Sequence, residues 1–107
     1  MQRYCQLIGI KGDQIPEYER LHAAVWPEVL ATIRDCNMRN YSIYRHDTML
    51  IAYFEYHGQD YPADMAKMAA DPKTQEWWAL CKPMQQPLAG AKPDEWWTSV
   101  PEVFHTD

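Results

Sequence analysis

Polar and apolar residues mix at short range over Arg3 to Ile10. Tyr4, Ile8 and Ile10 fall on one face and Cys5 and Leu7 on the other, which predicts a first strand. Lys11-Gly12-Asp13 reads as a turn, with Asp13 as the N-cap of a helix. From Gln14 the period changes, and Ile15, Tyr18, His22 and Val25 recur at helical spacing. Pro27 removes a helix donor and biases Trp26 toward extended backbone, so a break is expected there, with Pro27 opening a second helical piece. Leu30, Ile33 and Cys36 continue its apolar face. A second strand is predicted over Arg39 to His46, a hairpin turn at Asp47-Thr48 and a third strand over Thr48 to Tyr56.

The third strand does not alternate. Met49-Leu50-Ile51-Ala52-Tyr53-Phe54 is apolar on both faces, which predicts a cover on each side. Helices of the same chain supply one cover, and a partner subunit is the economical source of the other. His57 to Asp60 reads as a loop, Pro62 to Ala70 as a helix, and Asp71-Pro72 as its restart, carrying Trp77, Trp78, Leu80 and Cys81. Pro83 and Pro87 end that piece, and Gly90-Ala91-Lys92-Pro93 connects to a last strand over about Trp97 to His105, where Pro101 implies an edge or a bulge. The order β-α-β-β-α-β predicts a ferredoxin-like α+β fold. It has one four-stranded antiparallel sheet, two helical layers on a single face, and a bare face that drives dimerisation.

The chain has 107 residues, which is one domain's length, so residues 1-107 are read as a single unit. Hydrophobic residues at 47% can build a core and exclude global disorder. Ten Lys and Arg against 15 Asp and Glu leave a net charge of −5, with no basic run, which argues against a nucleic-acid partner. No apolar stretch approaches the ~20 residues of a membrane span, and the N-terminus carries no signal-peptide pattern. Cys5, Cys36 and Cys81 form no Cys-x-x-Cys pair, which fits reduced thiols and a cytoplasmic location.

Among the chemistry-bearing residues, His22 stands apart. It lies one helical turn after Tyr18 and one before Trp26, so the three can meet on one face. It reads either as a satisfied core histidine or as a general acid/base that exchanges a proton near neutral pH. His46, His57 and His105 fall near strand ends or in loops and read as solvated. No His-x-x-x-His or Glu-x-x-His pair suggests a metal site, and no Gly-rich loop or Ser-centred elbow suggests a nucleotide or a hydrolase triad. The tandem pairs Trp77-Trp78 and Trp96-Trp97 cannot both face one core. On a helix, Trp77 and Trp78 point about 100° apart, so one can pack while the other reaches a pocket edge. Tyr41 lies on the strand face opposite Ser42 and Tyr44 and offers a phenol donor.

Several of these segments together resemble the L-rhamnose mutarotase family. They are Tyr18-x-x-x-His22-x-x-x-Trp26-Pro27-Glu28, Asn40-Tyr41-x-Ile43-Tyr44, Gln75-Glu76-Trp77-Trp78 and Glu102-Val103-Phe104. The resemblance implies a dimeric α+β barrel and a cofactor-free sugar isomerase of the cytoplasm. It also implies His22 as proton donor, with Tyr18, Tyr41, Trp77 and Trp78 contacting the sugar. The connector Gln85 to Pro93 with Trp96-Trp97 behind it, and the ending His105-Thr106-Asp107, depart from the rhamnose pattern, and the connector is closer to members associated with L-fucose use. The expected reaction is anomer interconversion of a 6-deoxy-L-hexose, L-rhamnose or L-fucose, with His22 as the acid and Tyr41, Tyr18 or a water as the base. Two other classes compete: a small monooxygenase on the same dimeric barrel, and a non-catalytic sugar-binding module.

Overall fold

The computed structural model describes all residues, Met1–Asp107. The chain alternates strand β1 (Gln2–Ile10), helices α1 (Ile15–His22) and α2 (Pro27–Asp35), strands β2 (Met38–His46) and β3 (Met49–Tyr56), helices α3 (Tyr61–Ala70) and α4 (Pro72–Cys81), and short strands β4 (Gln85–Gln86) and β5 (Thr98–Val100). The antiparallel sheet runs β2-β3-β1, and β4 and β5 share the far edge of β1, pairing with Gly9–Ile10 and with Cys5–Leu7 respectively. This is the α+β architecture expected from the sequence.

Proline punctuates the helices as predicted. Pro27 stands at the first position of α2, after an extended Trp26 (ψ 134°). Both later helices start on an aspartate cap followed by proline. Asp60 accepts the Ala63 N–H, and Asp71 accepts the N–H and the hydroxyl of Thr74. Asp47, at φ 51°, turns the β2–β3 hairpin.

Four expectations need correction. Asp13 caps nothing: it lies exposed in a 3-10 turn, Gly12–Gln14, that leads into α1. Helix α1 ends at His22, so Val25 lies beyond it, although it still packs on the core. On α2 the buried residue is Val29, while Leu30 is 53% exposed. The set Val29, Ile33, Cys36 (i, i+4, i+7) fits the 3.6-residue period better than the set starting from Leu30 (i, i+3, i+6), which drifts around the helix. The last strand stops at Val100, because Pro101 has no N–H to offer β1, and residues 101–107 are exposed and outside any strand.

Strand β3 alternates strictly in burial. Leu50, Ala52, Phe54 and Tyr56 are buried under the helices, and Met49, Ile51, Tyr53 and Glu55 are half-buried on the other face. One of its two apolar faces is therefore covered within the chain. Two clusters fill the helix side, one around Ile8, Tyr18, Leu50 and Trp77 and one around Cys36, Met38, Phe54 and Met68. Trp78 packs against both. Each fully buried Ile, Leu or Phe contributes roughly 1.5–3 kcal/mol. That anchoring fixes α1 and α4 against the sheet and so fixes the side chains between them.

Candidate active site

Helix α1 presents Tyr18 and His22 one turn apart, and α4 brings Trp77 against them. The Tyr18 and His22 rings stack with centroids 4.0 Å apart at 19°, and the Trp77 indole meets His22 edge-on at 5.2 Å. Trp26, from the break before α2, closes on the other side of Trp77 at 5.2 Å. Tyr18 and Trp77 are buried, while His22 and Trp78 stay half-buried, so the imidazole is neither sealed in the core nor fully solvated. Trp77 packs while Trp78 stays partly open, the division expected of adjacent indoles.

The His22 ring is tethered. Its Nδ1 lies 2.8 Å from the Tyr18 carbonyl. A carbonyl only accepts, so Nδ1 carries the hydrogen and donates it, and in the neutral ring Nε2 holds the lone pair. Burial lowers the imidazole pKa from its usual 6.5, with the bond to the Tyr18 carbonyl opposing that shift. The neutral form is therefore the resting form at pH 7.

The phenols behave in the opposite sense. Burial raises the Tyr18 pKa, with the hydrogen bond from Gln85 opposing, and pushes Tyr41 up to about 12. Tyr41 stands on β2, where a register shift between Arg39 and Ser42 sets it on the helix face against Phe54, ring centroids 5.5 Å apart. The residue is 37% exposed, so its ring is open to solvent on one side. Tyr18 also feels Tyr41 and Cys81. Both phenols thus stay protonated at neutral pH and are donors.

Of the five residues singled out in the sequence, Tyr18, His22 and Trp77 are in direct ring contact, Trp78 packs on the adjoining core, and Tyr41 lies apart from them against Phe54. Three further residues complete the cluster. Cys81, buried in the same core cluster as Tyr18 and Trp77, has its thiol pushed up to about 11 by burial and stays neutral. Gln85 donates from Nε2 to the Tyr18 phenol oxygen at 3.2 Å and accepts the Trp96 indole N–H at 2.8 Å. Periodicity does not reveal such a pair, since Gln85 lies on a two-residue strand and its partners are 67 and 11 residues away.

Two surface depressions lie elsewhere. One of about 290 Å³ sits on the open sheet face between Arg3, Tyr53, Glu102 and His105, and one of about 630 Å³ sits at the sheet edge between Tyr4, Tyr56 and Tyr61. The first is lined by His105, whose Nε2 lies 3.0 Å from Asp107 Oδ1 in the exposed C-terminal segment; the second is lined by no histidine. No three of His, Cys, Asp and Glu gather anywhere as a metal-ligating group. What the cluster can do is move protons, using one neutral imidazole and a phenol walled by indoles.

A family model described as L-rhamnose mutarotase matches residues 3–106. An L-fucose mutarotase of Xanthomonas campestris is 34% identical, covering 97% of this chain and 87% of that protein. An L-rhamnose mutarotase of Oceanobacillus iheyensis is 30% identical over the full length of both. Among solved structures, an L-rhamnose mutarotase from Formosa agariphila superposes with a TM-score of 0.78 at 20% identity, each chain covered completely. A tetracenomycin F2 cyclase from Streptomyces glaucescens superposes at 0.70 with 13% identity, again over both full chains. At those identities the structural matches establish the shared fold alone.

Proposed function

The chain belongs to the L-rhamnose mutarotase family, and on that premise we propose that it interconverts the α and β anomers of a 6-deoxy-L-hexose at the cluster around His22. Relatives named for rhamnose and for fucose both match over most of their length, so these two sugars are the candidate substrates.

The observation that carries the residue assignment is the tether on His22. With Nδ1–H held by the Tyr18 carbonyl, Nε2 is the free acceptor. The ring thus starts as a base, and the acid role expected from the sequence belongs to its return stroke. His22 Nε2 takes the proton of the anomeric hydroxyl. A phenol, Tyr18 or Tyr41, donates to the ring oxygen. The C1–O5 bond breaks as the C1–O1 carbonyl forms. Rotation about C1–C2 presents the other carbonyl face, O5 adds back and returns its proton to the phenol, and His22 hands its proton to O1. Protons balance over the cycle and no electrons are transferred. Positioned acid–base groups contribute typically about 10²–10⁴-fold each, which suffices for a reaction that already runs in water. The partly open Trp78 offers an apolar face to the C–H side and the methyl group of a deoxy sugar, with the buried Trp77 packed behind His22.

The chain is further proposed to pair with a second copy through the open sheet face. Leu7 and Ile51 stand side by side there, with Tyr44 (63% exposed) next to Ile51. Three unpaired cysteines suit the cytoplasm. The test is anomer exchange with L-rhamnose, L-fucose and a hydroxymethyl hexose side by side. Faster exchange of a deoxy sugar supports the reading. Binding without any rate effect would make the protein a sugar-binding module instead.

A further inference from the structure

Gln85 is one of two buried polar residues, 6% exposed, and both ends of its amide are engaged. Its Oε1 accepts the Trp96 indole N–H at 2.8 Å, and its Nε2 donates to the Tyr18 phenol oxygen at 3.2 Å. An indole nitrogen can only donate. Trp96 therefore dictates which end of the amide is oxygen and turns the NH₂ toward Tyr18. A phenol oxygen that accepts this bond has its own O–H to direct elsewhere.

We propose that Gln85, locked by Trp96, is a positioning residue: it keeps the Tyr18 hydroxyl hydrogen aimed at the bound sugar. This rests on the mutarotase reading above. The lock is built from the segment that departs from the rhamnose pattern. Trp96 lies just before β5, and the Lys82 ammonium sits 5.3 Å from the Trp78 ring and 5.9 Å from the Trp96 ring, bridging the two indoles. Trp96 is thus held to the site wall from two sides, and through Gln85 it reaches a phenol that contacts His22 directly.

The chemistry separates this role from plain packing. In Gln85→Glu the carboxylate accepts only, so it takes the Trp96 N–H and also draws the Tyr18 O–H toward itself, away from the sugar. In Gln85→Met nothing competes for the Tyr18 hydrogen, but nothing aims it. Trp96→Phe keeps a ring for Lys82 while freeing the amide to flip. The groups around this chain are the Cys81 thiol and Tyr41 phenol near Tyr18, His22 on its ring, and Lys82 against Trp96.

The experiment measures kcat and KM for anomer exchange, with thermal melting, in the wild type and the three variants. Trp96→Phe and Gln85→Met are expected to lower kcat about 3- to 10-fold, the scale of one hydrogen bond, with KM nearly unchanged. Gln85→Glu is expected to lose more than Gln85→Met, and to recover relative to wild type at the same pH as the carboxyl protonates. Wild-type kcat in Trp96→Phe, or a Gln85→Glu loss that equals that of Gln85→Met and ignores pH, overturns the positioning role. Should Gln85→Glu not fold, Trp96→Phe decides alone. An inactive wild type is a different failure, because it removes the mutarotase reading on which the inference stands.

Discussion

The Tyr18 carbonyl holds the Nδ1–H of His22 at 2.8 Å while the Tyr18 ring lies stacked on the imidazole at 4.0 Å. One residue therefore sets both the tautomer and the tilt of the other. The pair is one helical turn apart, so the tether costs no extra chain ordering beyond α1 itself. Its consequence is a free lone pair on Nε2.

The pH dependence follows from that relationship. Burial holds the imidazole below its usual 6.5, and the neutral ring is the reactive form. Exchange should rise with pH through this lowered pKa and reach its plateau at a lower pH than a free imidazole would give, read as kcat/KM across pH 4 to 8. Stability carries the same sign. The folded state binds this proton less readily than the unfolded chain, so the His22 contribution is fully present above 6.5 and is lost as pH falls below it. Melting curves of His22→Asn should show a weaker loss over that interval than wild type.

Much of this site was legible in the sequence, and the reason is local. Tyr18 and His22 are spaced at one helical turn, and adjacent indoles must diverge, so their convergence or division needs no long-range information. Trp26, in contrast, lies beyond the end of α1, and its ring contact is with Trp77, not with the helix face on which the spacing put it. Tyr41 was placed by resemblance, since only the register shift in β2 sets it over Phe54. The Gln85–Trp96 lock was invisible because it joins a two-residue strand to an irregular segment. The phase of α2 failed for a different reason. Val29 stands four and seven residues from Ile33 and Cys36, whereas Leu30 stands three and six, so the helical period itself favours Val29 and the reading from Leu30 took the poorer stripe.

Gly58 has a packing reason for lacking a side chain. A Cβ there would stand 2.5 Å from Tyr56 Cζ and 2.6 Å from Asp64 Oδ2, and would strike the Tyr56 hydroxyl that Asp64 accepts. Gly58→Ala should destabilise the fold by about 1–3 kcal/mol through overpacking, checked by denaturant unfolding. Anomer exchange per folded molecule should be unchanged, because this cluster lies at the far end of β3 from His22. A melting temperature equal to wild type would show that the loop yields instead.

The open sheet face gives a third prediction. Leu7 and Ile51 are register partners there, half-buried in one chain. Ile51→Asp puts a charge at that pair, and it should shift the mass in multi-angle light scattering from two chains to one. A wild type of single-chain mass at all concentrations would remove the proposed pairing.

The assignment of the proton carrier is tested most directly by saturation-transfer NMR on the anomeric protons of L-rhamnose and L-fucose, comparing wild type with His22→Asn at matched concentration of folded protein. The account predicts that wild type transfers saturation between the α and β signals of at least one of these sugars and that the variant, still folded and still binding sugar, slows exchange by about 10²-fold or more. Exchange at the wild-type rate in a folded His22→Asn protein would contradict it.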